Sequence, residues 1–129
     1  LKKYKREDFY LATKLPMFKI NSLEQAKEIF EEQMKRLDVN YVDFYLLHAL
    51  NKDTWKKVMD LNIIPYCEEL KKQGRIKNFG FSFHDDYEVF EEIINYRDWD
   101  FCQIQLNYID TDIQAGMKGY KLTEEKNVH

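Results

Sequence analysis

The feature that most constrains this chain is a regular alternation. Four short apolar runs, "DFYLATK" (8–14), "VDFYLLHA" (42–49), "IKNFGFS" (76–82) and "FCQIQLNY" (101–108), are separated by amphipathic stretches. The runs begin about 25 to 35 residues apart, the size of one strand–helix unit. Strands that alternate with helices return to the same edge of a sheet and pair in parallel, which specifies an α/β architecture. No Asn-Gly, Asp-Gly or Gly-Gly dipeptide marks a hairpin.

The intervening stretches carry helix signals. Ser22 with Gln25 reads as a capping box, and Leu23, Ala26, Phe30, Met34 and Leu37 then mark one helical face. Asp85 with Glu88 repeats the device before Phe90, Ile93 and Ile94. The second connection is split: "DTWKKVMD" precedes "IIPYCEELKKQGR", where Pro65 suits a first helical position and Gly74 a C-terminal cap. The last segment, "DIQAGMKGYKLTEEKN", reads as a helix weakened by Gly116 and Gly119.

Two parallel folds fit the alternation, a doubly wound sheet and a (β/α)₈ barrel. The first strand–helix turn, "TKLPMFKINS", has no Gly-rich phosphate loop, which counts against the dinucleotide-binding doubly wound module. A whole eight-fold barrel takes roughly 250 residues. The 129 residues here therefore read as about four parallel βα units of a partial TIM barrel, one domain over 1–129 with the N- and C-terminal parts of the barrel absent. Such a half-barrel exposes two unpaired edges and an interior face, so a homodimer or the complementary barrel half is an expected partner.

Composition removes several classes of function. Twenty basic and 23 acidic residues are interspersed and form no basic block, so nucleic acid is not an expected partner. Nine Tyr and nine Phe argue for a packed core rather than disorder. No apolar run reaches the roughly 18–20 residues of a membrane span, and no export signal follows "LKKYKRED". Cys67 and Cys102 lie far apart and read as reduced thiols, consistent with a cytoplasmic protein.

Parity along the strands points to a site. Side chains alternate between faces, so Lys14 shares a face with Ala12 and Tyr10, and His48 with Val42, Phe44 and Leu46. Ser82 shares one with Gly80 and Asn78, opposite Phe79, Phe81 and Phe83; Gln103, Gln105 and Asn107 share another. One face of each strand thus turns polar toward its C-terminal end, where barrel enzymes carry their chemistry. Unpaired buried polar groups cost about 1–3 kcal/mol each, so a converging cluster of them reads as a site rather than a core. Taken singly, each has a plainer reading. His48 is then a hydrogen-bonded core histidine, Lys14 a solvated lysine, Ser82 a backbone cap, and His84 an N-cap or loop residue. A metal held by His48 and His84 lacks acidic or further histidine partners at ligand spacing, so no metal site is assigned.

The segments "LATK", "YVDFYLLHAL", "LKKQGRIKNFGFSFHD" and "WDFCQIQLNYID", in that order, resemble aldo/keto reductases across essentially the whole chain. The "GFS-x-H" run is similar to a bacterial branch, some members of which carry an iron–sulfur segment. No such cysteine cluster is encoded here, and that cofactor is not assigned. The resemblance implies an NADP-dependent enzyme (NAD remains open) moving hydride between nicotinamide and a small carbonyl substrate. The family's catalytic lysine and histidine fall on Lys14 and His48, and its serine and glutamine contacts to the nicotinamide carboxamide fall on Ser82 and Gln103. Many members place Asn directly after that serine, where this chain has Phe83. The family's Asp and Tyr lie upstream of the lysine; Tyr4 and Tyr10 sit too close to Lys14 to match. The chain by itself is therefore expected to be an inactive central fragment. The alternative is a non-catalytic βα module that works through a dimer or docking surface.

Overall fold

The computed structural model describes residues 3–106 and 109–129; Asn107 and Tyr108, expected at the end of the fourth strand, lie outside the described residues. Four strands, β1 (Ala12–Leu15), β2 (Val42–Leu50), β3 (Ile76–Phe83) and β4 (Phe101–Ile104), form one sheet in the order β1-β2-β3-β4, and every pair is parallel. That order never reverses. A doubly wound sheet has a switch point where the order turns back, whereas a barrel adds each strand beside the last. The expected α/β fold, a four-unit sector of a (β/α)₈ barrel, is what the chain forms.

Five helices follow the strands: α1 (Leu23–Leu37), α2 (Lys52–Asp60), α3 (Ile63–Lys72), α4 (Tyr87–Tyr96) and α5 (Gly116–Glu125). The apolar stripes of the first four pack against one face of the sheet, and α5 packs on α4. Ala26, Phe30 and Met34 of α1 are buried, as are Ile63, Ile64, Cys67 and Leu70 of α3 and Phe90, Ile93 and Ile94 of α4. From the sheet come Tyr45 and Leu47 of β2 and Phe79, Phe81 and Phe83 of β3, all fully buried. Edge-to-face aromatic pairs join the layers, with Phe30 on Tyr45 and Phe83 on Phe90 both at 5.2 Å between ring centres. Burying each such side chain contributes about 1.5–3 kcal/mol. The opposite face is only partly covered: Phe44, Leu46 and His48 of β2 are half-buried.

Local signals account for the boundaries, with some revisions. Ser22 Oγ accepts the backbone N–H of Gln25, as expected, but Gln25 Oε1 accepts from Asn21 rather than from Ser22. Gly74 ends α3 with φ +74; the Gly74 and Arg75 amides return to the carbonyls of Lys71 and Leu70 in a Schellman arrangement. Pro65 stands two residues inside α3 rather than at its start. Asp85 does not cap α4. Its carboxylate accepts the Lys52 N–H at the start of α2 and the Asp86 N–H, tying two strand–helix connections together.

β1 starts later than its apolar run suggests. Residues Arg6–Asp8 form a 3₁₀ turn, and the Leu11 amide goes to the Asp43 carboxylate instead of a sheet partner. Burial pushes the Asp43 carboxyl up, but the Arg6 and Leu11 hydrogen bonds and the charges of Arg6 and Lys77 outweigh it, holding it below the usual range. The outer edge of β4 is not bare either. His129 donates its amide to Asp100 O (3.4 Å) and accepts from the Cys102 amide (2.7 Å), which is the pattern of a further parallel bridge.

Candidate active site

Register determines which side chains meet. Ala12 pairs with Phe44 and Lys14 with Leu46, so Lys14 lies on the face that carries Leu46 and His48. Leu46 pairs with Gly80, and Ser82 with Gln103, which extends the same face across β3 and β4. At the C-terminal ends of the strands Lys14, His48, Ser82 and Gln103 line one cavity of about 300 Å³, together with His84, Ile104 and Gln105. All four residues singled out from parity therefore open into a common space. Among the described residues, no tyrosine and no carboxylate lines it.

The backbone of β2 changes at this point. Ala49 adopts a left-handed conformation (φ +55), and the β2–β3 register shifts between Leu47 and Leu50. A non-glycine residue there costs roughly 1–2 kcal/mol. The bulge turns the Ala49 amide toward β3, where it donates to Ser82 Oγ at 2.7 Å. Ser82, almost fully buried, is thereby fixed as an acceptor and keeps its own O–H to donate. An alanine carries no sequence signal for this conformation, so Ala49 escapes a reading based on residue type.

His48 is half-buried and meets the ring of Phe18 edge-on at 6.0 Å. Desolvation, then the electrostatic influence of Lys14 and His84, hold its pKa below the usual imidazole range. It is accordingly a neutral group near pH 7, with one N–H to give and one nitrogen to receive a proton. Deeper along the same face, Asn78 donates to the Asp43 carbonyl at 2.9 Å, and the rings of Phe44 and Phe101 stack edge-on at 5.3 Å. Gly80 lets those layers approach: a Cβ there would lie 2.3 Å from the Phe101 carbonyl oxygen. Cys102 points to the helix side, and burial pushes its thiol up to about 11, so it is not a reactive thiolate. No group of three or more His, Cys, Asp or Glu that could hold a metal ion occurs among the described residues.

Fold and cavity together define a class: a sector of a parallel (β/α)₈ barrel with a polar site at the C-terminal ends of its strands. The sequence profile of the Aldo/keto reductase family matches residues 1–129, and the chain belongs to that family. Solved structures agree. An aldo/keto reductase from Brucella melitensis is 24% identical over 97% of this chain and 46% of its own, with a TM-score of 0.69. The holo form of an aldo-keto reductase from Bacillus halodurans is 27% identical over 98% of this chain and 41% of its own, with a TM-score of 0.73. A thermostable aldo-keto reductase in complex with the inhibitor epalrestat is 24% identical over 98% of this chain and 44% of its own, also at 0.73. The chain thus spans less than half the length of these structures. No curated protein sequence matches it.

The donor set fits one part of a nicotinamide cofactor. A carboxamide presents one oxygen acceptor and two N–H donors. The cavity offers a hydroxyl with a free O–H on Ser82 and a side-chain amide on Gln103, adjacent in register and on one wall.

Proposed function

We propose that this chain supplies the lysine, the histidine and part of the cofactor cradle of an NAD(P)H-dependent carbonyl reductase, with NADPH the default cofactor and an aldehyde or ketone as substrate. Residues 1–129 are read as one partial barrel domain of a cytoplasmic protein. The observation that carries the reading is the single cavity shared by Lys14, His48, Ser82 and Gln103. When bound, the reduced nicotinamide supplies hydride.

The residues have distinct tasks. Ser82 would donate to the carboxamide oxygen and Gln103 would accept from its N–H, and together they would fix the orientation of the ring. A misplacement of about 1 Å there can cost roughly 10²-fold in rate. Reduction of a carbonyl would put negative charge on its oxygen, and this chain's groups are placed to meet that charge. The neutral His48 donates its N–H to that oxygen, and the Lys14 ammonium stabilises the developing alkoxide electrostatically. The proton that completes the alcohol comes from a group outside this cavity's lining. In the family that group is a tyrosine, whose ionisation a nearby ammonium favours.

The test is carbonyl-dependent oxidation of NADPH by the intact protein, followed at the nicotinamide absorbance with a panel of aldehydes and ketones. Lys14→Met and His48→Gln are expected to lower kcat by about 10²–10³-fold, the loss typical of one transition-state donor. Ser82→Ala and Gln103→Ala are expected to act first on cofactor affinity. Cofactor binding without turnover on any carbonyl would favour the non-catalytic module; no binding at all would overturn the reading.

A further inference from the structure

We propose that His84 is a third hydrogen-bonding partner of the nicotinamide carboxamide, a positioning residue beside Ser82 and Gln103. The inference rests on the cofactor reading above. It starts from the direction of the residues that follow Ser82. Phe83 is fully buried on the helix side, with its ring 5.2 Å from that of Phe90, so it offers nothing to the cavity. His84, the next residue on the cavity side of the alternation, does line it.

Chemistry decides what His84 adds. The Ser82 hydroxyl is spoken for as an acceptor by the Ala49 amide and has one O–H to give, which suits the carboxamide oxygen. Gln103 Oε1 takes one of the two N–H groups. The second N–H needs an acceptor on the same wall, and an unprotonated imidazole nitrogen is one. Gln105 also lines the cavity, but it lies beyond the end of β4 at Ile104. His84 is better held, because its amide donates to the Leu50 carbonyl at 2.9 Å and anchors it to the end of β2. A partner fixed before binding loses less freedom on forming its bond.

The test compares ligands that differ in the amide alone. On the intact protein, Kd is measured calorimetrically for NADP⁺ and for its acetylpyridine analogue, in which a methyl group replaces the amide NH₂. His84→Ala is expected to weaken NADP⁺ binding about fivefold, the worth of one neutral hydrogen bond, and to leave the analogue unchanged. His84→Asn is expected to restore NADP⁺ affinity, and the ring ¹⁵N resonance of His84 should shift on binding NADP⁺ but not the analogue. Equal weakening of both ligands by His84→Ala, or of neither, would overturn the proposal while leaving the cofactor reading intact. A wild-type protein that binds neither ligand would overturn that reading and this inference with it.

Discussion

Gly80→Ala tests whether the approach of β4 to β3 sets the geometry of the cavity. A methyl group at residue 80 would stand 2.3 Å from the Phe101 carbonyl oxygen and 2.7 and 2.8 Å from two carbons of its ring. The ring can rotate, but the carbonyl belongs to the β4 backbone. Reaching ordinary contact requires β4 to retreat by about 1 Å, enough to lengthen the hydrogen bonds of its ladder. β4 pairs through only four residues, Phe101 to Ile104, so the strain cannot be spread. Overpacking of this kind costs about 1–3 kcal/mol, and the ladder distortion puts Gly80→Ala near the upper end, at about 3 kcal/mol. Urea unfolding followed by fluorescence reads the cost, since Trp99 packs against Phe79 and Phe81 of β3. Amide chemical shifts of residues 101–104 read the displacement. Gly74→Ala is the control: nothing lies within 4 Å of its Cβ position, so only its φ of +74 is penalised. That strain is worth about 1–2 kcal/mol and leaves β4 untouched. A Gly80→Ala protein as stable as wild type, with unmoved β4 amides, would refute the argument.

Three further outcomes follow from the same contacts. Tyr45 is fully buried, and its hydroxyl has no hydrogen-bond partner among the described residues; Tyr45→Phe is expected to hold stability or raise it by about 1 kcal/mol, read by thermal unfolding. Because His48 has a lowered folded pKa, through desolvation and then the electrostatic influence of Lys14 and His84, the unfolded chain binds its proton more readily. Stability is then expected to fall as pH drops below about 6.5, the unfolded value, and to flatten below the folded pKa. His48→Gln should remove that component in urea titrations at several pH values. Asp85→Ala should cost about 1 kcal/mol and show faster amide exchange at the start of α2, since the carboxylate caps Lys52. Fraying of α4 instead would contradict the capping described above.

Much of the site was legible because a strand's period of two is strict. Once "VDFYLLHA" and "FCQIQLNY" are strands, His48 and Gln103 must point away from Tyr45 and Cys102, and parallel order brings their ends together. Lys14 and Ser82 follow by the same logic. What the residues did not announce was set by tertiary contacts. The left-handed Ala49 exists because Ser82 receives its amide. Asp85 looks like the cap of the helix beside it in sequence but binds the helix beside it in space. β1 begins late because Asp43, thirty-two residues away, takes the Leu11 amide. His84 reads as an N-cap or loop residue; it stands just past the end of β3, on the same side as Ser82, where it lines the cavity.

The most direct test of the central claim, that this cavity holds a nicotinamide with one face toward the substrate, is deuterium transfer. NADPH labelled at C4 on one face or the other is incubated with the intact protein and a reducible aldehyde, and the alcohol is analysed by mass spectrometry. A nicotinamide held by Ser82 and Gln103 should deliver deuterium from one label only. Alcohol labelled equally from both, or no carbonyl-dependent transfer from either, would contradict it.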